Sequence, residues 1–378
     1  MLTRKEDERR EMEDLSYVHI AEAVDRGIQG APKSAGEISK AFLAYLKLLY
    51  SPEEAAVVQY LNMPNKFKTG EQVAQDAGRD VDGVSRILDE AARKGSVMGA
   101  GGFYSLPPIP LLLNYHHVYP ELKPDDLEAA RLYQEFFIKE GFYKYYETSE
   151  KGTPIMRVIP VDQAIEVDQK FLSAEEAHGL IQNLSTDELA LVPCPCRTRT
   201  EKMGDRECRD NNPVGNCIFI GMAAVNFAAN GLGKKITKEQ AIRYLDDMQE
   251  LGLVATTENY KTPDPTIICL CCECCCSQVR GRTRWDNPAA LLPSNFVPAA
   301  NDDCVMCGTC VDRCFFEALS LDEDAERALA DPEKCVGCGV CTLACPQDAL
   351  KLHRFERTVA FETARELWKT IATENKGL

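Results

Sequence analysis

The sequence predicts an α+β chain, on three observations. The first hundred residues hold capped amphipathic helices that end in a glycine-tipped hairpin. The central stretch mixes apolar segments with cysteine-bearing turns, as a cysteine-rich α/β domain would. The C-terminal stretch repeats one four-cysteine run, and each copy leads into a short apolar strand. Boundaries are expected at 1–35 for a charged N-terminal helix, 36–106 for the helices and hairpin, and 107–190 for a helical, aromatic-rich connecting region. They continue at 191–300 for the cysteine-rich domain, 301–353 for the repeat and 354–378 for a C-terminal helix.

The opening "MLTRKEDERREMEDL" is charged and lacks the apolar core of a signal peptide, and no uninterrupted run of about 18 apolar residues follows. A cytoplasmic protein without a membrane span is expected. In "GEISKAFLAYLKLLY", Ile38, Phe42, Tyr45, Leu46 and Leu49 recur at helical spacing. Ser51 caps the next helix, with Pro52 at its first position. Thr69 and Gln72 have capping-box spacing, and Gly95 closes the helix that begins at Asp80. "SVMGAGGFYSL" then forms the hairpin. Three helices and a hairpin in this order resemble a winged-helix domain, a fold that often binds DNA. The third helix, however, sets Asp80, Asp82, Asp89 and Glu90 against Arg86, Arg93 and Lys94, and the whole chain carries a net charge of −16. Phosphate binding needs the opposite balance. A nucleic-acid partner is therefore not favoured, and a scaffold or a partner-docking module is expected.

Residues 107–190 say less. "PPIPLLLNYHHVYP" is bounded by prolines, and "DDLEAARLYQEFFIKEGFYKYYET" is helical and aromatic. "MRVIPVDQAIEV" predicts a strand. The pair His116 and His117 could ligate metal, but beside Tyr115 and Tyr119 a packing or surface role is the simpler reading. No phosphate-binding glycine loop, HExxH or GxSxG occurs, so nucleotide cofactors and common hydrolase sites are unsupported.

All 18 cysteines lie at or after Cys194. A reducing compartment does not pair thiols into structural disulfides, so metal is the expected occupant. Ten of them precede the repeat: Cys194, Cys196, Cys208 and Cys217 in one group, then Cys269, Cys271, Cys272, Cys274, Cys275 and Cys276 within "CLCCECCC". Buried structural thiols explain one or two such residues but not six in eight positions. Neighbours in an extended segment point to opposite sides. Cys271 and Cys272 should therefore serve different sites, with CxxC steps joining Cys269, Cys272 and Cys275 on one ladder and Cys271 and Cys274 on the other. Each site would be completed by thiols of the first group. Glu273 is a candidate ligand or proton donor. Arg197, Arg199, Lys202, Arg206 and Arg209, with Arg280, Arg282 and Arg284, bring positive charge that would raise the potential of a thiolate-bound cluster, unless they only form a solvated surface. The apolar piece "CIFIGMAAVNFAANGLG" reads as a buried helix.

The repeat is the most specific signal. "CVMCGTCVDRC" and "CVGCGVCTLAC" both have the spacing C-x2-C-x2-C-x3-C, which is the run of bacterial two-cluster ferredoxins. Zinc ribbons would want two CxxC pairs per metal instead. In the ferredoxin run three close cysteines wrap one cluster and the fourth reaches the other. Cys304, Cys307, Cys310 and Cys345 are thus expected on one 4Fe-4S cluster, and Cys335, Cys338, Cys341 and Cys314 on the second. Phe315 stands where the second run has Pro346.

Residues 302–350 accordingly resemble a bacterial ferredoxin domain with two 4Fe-4S clusters, which implies single-electron transfer to protein redox partners. The chain as a whole is similar to larger iron-sulfur proteins of anaerobic microbes, in which "CPCR", a cysteine-dense run and "PSNF" precede a ferredoxin tail. Beside such a tail, the ten upstream thiols favour one or two further 4Fe-4S clusters over zinc storage. The expected function is electron transfer as a subunit or dedicated partner of a larger oxidoreductase. One alternative is a reductive enzyme with an atypical, substrate-accessible cluster at "CCECCC"; another is a redox-sensing regulator. Residues 301–354 carry five basic against eleven acidic side chains, which makes the tail the expected low-potential end. Phe361, Ala364, Leu367, Trp368 and Ile371 form a helical stripe that packs back on the body.

Overall fold

A computed structural model describes residues 4–63, 66–115, 126–161, 177–357 and 359–376. The chain forms two compact units, Met1–Tyr146 with Thr198–Asp205, and Glu147–Arg197 with Arg206–Leu378. Helices and strands are mixed throughout.

In the first unit the local sequence signals act as expected. The Ser39 hydroxyl accepts from the Phe42 amide at the start of helix Lys40–Leu49. Full capping boxes open Pro52–Val58, through Ser51 and Glu54, and Gly70–Ala77, through Thr69 and Gln72. Helix Val81–Lys94 starts on the Asp80 side chain and stops at Gly95, whose φ is 79°. Gly101 and Gly102, at φ +59° and +81°, make the tight turn between strands Met98–Ala100 and Phe103–Ser105; only glycine enters that conformation twice without strain. Strand Lys68–Thr69 pairs with Phe103–Ser105 to complete a three-stranded antiparallel sheet.

The core of this unit holds Phe42, Tyr45, Leu46, Val84 and Leu88, all fully buried. Phe136 stands edge-on to Phe42 at 5.7 Å and to Tyr45 at 5.6 Å. The helical reading of the aromatic stretch is resolved into Asp126–Gln134, a π-helical turn Glu135–Lys139 and Tyr143–Tyr146. His116 and His117 lie outside the described residues.

The second unit is built on a six-stranded antiparallel sheet. Its strands run in the order Met156–Val158, Val254–Glu258, Ile267–Cys271, Asn216–Ile220, Leu189–Pro193 and Lys234–Ile236. One expectation is corrected here. "CIFIG" is not the start of a helix but the strand Asn216–Ile220, and the helix begins only at Met222. Gly215 and Gly221, at φ +57° and +63°, punctuate the chain on both sides. Ile218 and Ile220 are β-branched and flank an aromatic residue, which suits a pleated, buried strand. The strand expected from "MRVIPVDQAIEV" is Met156–Val158, and residues 162–176 lie outside the described residues.

Helix Lys238–Glu250 covers one face of the sheet and contributes the buried Ala241 and Leu245 to a core with Ile218, Ile268 and Leu270. Toward the C-terminus two strand pairs, Phe296–Ala300 with Leu350–Arg354 and Leu319–Asp322 with Arg327–Ala330, accompany the two cysteine runs. Strand Phe361–Thr363 pairs with Tyr260–Thr262, and helix Ala364–Lys376 buries Leu367 and Ile371 within the same unit. Among the described residues no helix is long and apolar enough to cross a membrane.

Candidate metal centres

Sheet geometry gathers the upstream cysteines. Cys269 and Cys271 are two apart on strand Ile267–Cys271 and so share a face. The register that pairs Ile267 with Phe219 and Ile268 with Ile218 sets Cys269 level with Cys217 on the next strand. On the strand after that, Val192 lies opposite Cys217, and the Cys194 amide donates to the Gly215 carbonyl at 3.0 Å. Three adjacent strands therefore deliver four thiols to one place.

Two helix starts deliver the rest. Cys196 lies in the first turn of helix Pro195–Met203, and Cys276 is the N-cap of helix Ser277–Arg284. The six thiols close a ring. Cys194 hydrogen-bonds Cys196 and Cys217, and Cys217 bonds Cys269. Cys269 bonds Cys271, Cys276 donates to Cys271 at 3.1 Å, and Cys276 meets Cys196.

The remaining four upstream thiols form a separate group. Cys208, Cys272, Cys274 and Cys275 are all buried, and their sulfurs lie within 4.8 Å of one another. Three of them come from the turn after strand Ile267–Cys271, which the Cys276 amide closes on the Cys272 carbonyl at 3.3 Å. The ladders expected from CxxC spacing are therefore not the groups that form. Cys271 and Cys272 do face different groups, as alternation requires, but the turn lets the adjacent Cys274 and Cys275 meet at 3.4 Å. Each group combines thiols of the first cysteine cluster with thiols of the second.

Charge is arranged around both groups. Arg197 is 1% exposed and its guanidinium donates to the Leu270 carbonyl at 2.6 Å and to the Val214 carbonyl at 2.5 Å. Burial alone would lower its pKa, but Cys194, Cys272, Cys217 and Cys271 outweigh burial and raise it. One cation thus faces ring and foursome together. Hydrogen bonds from Cys196 and Cys217, with Arg197 nearby, hold the Cys194 thiol well below its ordinary range. Bonds from Cys269 and Cys276 bring Cys271 down to about 7. Thiolate, the form that ligates metal, is favoured at these positions before any metal arrives. Arg206 reaches Cys208 at 4.0 Å.

Three of the other cations are held by other partners. Arg199 stacks on Tyr133 at 3.8 Å, and Lys202 forms a buried ion pair with Asp126 at 2.7 Å. Arg284 pairs with Glu207 and with Glu273, each at 2.7 Å. Glu273 is therefore held by a surface arginine.

A buried acid next to the ring escaped notice in the sequence. Glu147 accepts a hydrogen bond from Ser277, and burial pushes its pKa up to about 8. Its unfolded form ionises near 4.3, so across that interval the folded chain holds a proton that the unfolded chain has released. Stability then falls as pH rises, by about 1.4 kcal/mol per pH unit. Glu147→Gln keeps an acceptor for Ser277 and should melt with the wild type at pH 4.5 but several degrees above it at pH 8. Parallel anaerobic melting curves at both pH values would refute this.

The C-terminal cysteines form two more foursomes. Cys314, Cys335, Cys338 and Cys341 line one cavity with Pro298, Phe315, Phe316, Val336 and Val340. Cys304, Cys307, Cys310 and Cys345 line a second with Ala300, Leu321, Ala328 and Leu350. Backbone amides point at the sulfurs: Gly337 donates to Cys335 and Ala349 to Cys345, both at 3.3 Å. Gly337 has φ +68°, and a Cβ there would lie 2.3 Å from the Phe296 carbonyl oxygen, so the turn admits only glycine. Thiols at four corners, amide donors and an apolar wall fit a 4Fe-4S cluster in each cavity.

Arg357, just beyond the repeat, hydrogen-bonds Cys335. It is fixed by the carbonyls of Ser294, Pro332 and Phe296 at 2.9, 2.7 and 3.1 Å. No spacing rule connects it to the cysteine run; only the fold of 294–296 beneath it does.

Comparison with known protein families agrees with this geometry where the repeat lies. Residues 303–349 match the 4Fe-4S dicluster domain family. Comparisons with curated proteins and with solved structures find no match. The chain thus carries a 4Fe-4S dicluster domain at its C-terminal end, with a buried cysteine centre upstream of it.

Proposed function

We propose that this chain is an electron-transfer protein with at least three iron-sulfur clusters, acting as a subunit or dedicated partner of a larger oxidoreductase in the cytoplasm. The observation that carries the reading is that all 18 cysteines fall in one compact unit, gathered into one ring of six and three groups of four. The dicluster foursomes named above would each hold one 4Fe-4S cluster, and the ring of six would hold a third. Such clusters supply one-electron oxidation and reduction when bound.

The chain's own residues set the conditions for this. Amides of Gly337 and Ala349 stabilise thiolate charge, and apolar walls limit water. Cys307 is exposed, and beside it Val305 is 60% exposed, so this foursome lies nearest to solvent. The surrounding segment 301–354 has a net charge of −6, from eleven acids and five bases, which suits a partner with a basic docking surface. The buried Arg197 makes the upstream centre the higher-potential end. The order and pairing of helices and short strands in the first unit support a winged-helix-like module, and helix Val81–Lys94, which with its Asp80 cap has four acids against three bases, favours a scaffold role for it over DNA binding.

The test is anaerobic iron and acid-labile sulfide analysis with an EPR-monitored redox titration. More than about eight irons per chain, with matching sulfide, is expected, and the upstream signal should reduce first on lowering the potential. About eight irons would confine the clusters to the dicluster domain, and simultaneous reduction would remove the potential gradient.

Arg357 offers a narrower check. Its positive charge lies against Cys335, so Arg357→Gln should lower the potential of the cluster in that cavity by on the order of 50 mV, and Arg357→Lys should recover most of the loss. Equal potentials in all three proteins would show that the arginine only ties backbone carbonyls together.

A further inference from the structure

We propose that Cys208, Cys272, Cys274 and Cys275 form a closed site for a single tetrahedral ion, zinc or iron, rather than for a cubane cluster. Size sets the site apart. Four thiolates around one ion, with metal–sulfur bonds of about 2.3 Å, have sulfurs about 3.8 Å apart. Here Cys208 and Cys272 are 3.9 Å apart, Cys272 and Cys274 3.8 Å, and Cys274 and Cys275 3.4 Å. All four sulfurs fall within 4.8 Å of one another. They therefore occupy the corners of a tetrahedron of single-ion dimensions.

A cubane requires more room. Each thiolate binds its own iron at a corner of a core of four irons and four sulfides, which holds the thiolates roughly 6 Å apart. The same chain shows what that looks like. The dicluster cysteines stand around hollows walled by apolar side chains such as Phe316, Val336, Ala328 and Leu350. Their thiols bond to backbone amides and to Thr309. Among the described residues no other three thiols, those of the ring included, all lie within 4.8 Å of one another, so only this foursome is drawn in to single-ion size.

The chain path supports the same conclusion. Cys274 and Cys275 are sequence neighbours, and a tight turn is what lets both thiols approach one point. All four ligands are protein thiols and all are buried, which leaves no open position and marks a structural site. Its place suggests what it holds together. The turn that supplies three ligands is bracketed by Cys271 and Cys276, themselves ring neighbours at 3.1 Å. The fourth ligand, Cys208, comes from a distant loop. One ion would pin that loop to the turn and so fix the spacing of two ring thiols.

The test uses the balance of metal against sulfide in the whole chain, purified anaerobically. Cubanes contain equal iron and acid-labile sulfide, so they contribute nothing to the difference (iron plus zinc) minus sulfide. The expected difference is about one per chain in the wild type and about zero in Cys208→Ser/Cys274→Ser. Loss of a neighbouring cubane in the variant cannot disturb this reading, since it removes both elements equally. Elemental analysis identifies zinc; a single high-spin iron in the Mössbauer spectrum identifies iron. A wild-type difference of zero overturns the proposal, as does a difference that survives the double substitution. The electron-transfer reading is tested separately, by the labile sulfide itself: it fails if sulfide is missing, and its third cluster fails if sulfide stays at about eight per chain.

Discussion

Replacing Cys314 by alanine and replacing Cys341 by alanine should erase the same cluster, although the two residues belong to different copies of the repeat. Cys314 follows Cys310 by four positions, yet it lines the cavity of Cys335, Cys338 and Cys341. Cys345 closes the second run, yet it lines the cavity of Cys304, Cys307 and Cys310. The crossing has a local cause. After three closely spaced thiols, the short helices Thr309–Asp312 and Val340–Leu343 carry the fourth away from its own run. Each single substitution should remove roughly four irons and four sulfides and one EPR signal of the reduced protein, leaving the other. Cys345→Ala and Cys304→Ala should remove the remaining signal. If Cys314→Ala instead removed the signal lost in Cys304→Ala, each run would hold its own cluster and the crossed assignment would be wrong.

The crossed grouping of thiols is expected from the sequence because ligand spacing within a single local motif fixes what the chain can reach, and the two cavities bring together the same fours. Capping boxes at Ser51 and Thr69 and the glycine turn at Gly101 and Gly102 were legible for the same reason: each is decided within about four residues. The upstream centre was legible only in part. Alternation correctly separates Cys271 from Cys272, but the ring depends on strand order. The level pairing of Cys269 with Cys217, and the approach of Cys194 beyond it, belong to a sheet whose neighbours are far apart in sequence. The strand Asn216–Ile220 was hidden because a short apolar run adjoining a helix has no periodicity of its own. Glu147 and Arg357 carry no motif at all. Their roles come from burial beside a thiol group, which only the folded chain creates.

Arg197→Met should have the largest effect of any single change outside the cysteines. The methionine fills part of the volume but removes the buried cation that faces Cys194, Cys217, Cys271 and Cys272. It also releases the carbonyls of Val214 and Leu270, which the guanidinium now holds. Removing one partner of a buried charge set costs about 3–5 kcal/mol, because the opposite charges stay behind without compensation. Here those charges are thiolates that can escape the penalty by taking up protons, and protonated thiols bind metal poorly. Loss of upstream metal is therefore expected before loss of the fold. Iron should fall to about eight per chain, and the EPR signals of the dicluster domain should persist. Arg197→Lys separates charge from geometry. A lysine keeps the positive charge, but its compact ammonium cannot reproduce the planar fork that spans two carbonyls. It should retain the upstream metal with a lower melting temperature. Full metal content in Arg197→Met would show instead that the thiolate groups need no buried counter-charge, and that Arg197 serves only to bridge the loop at Val214 to the strand at Leu270.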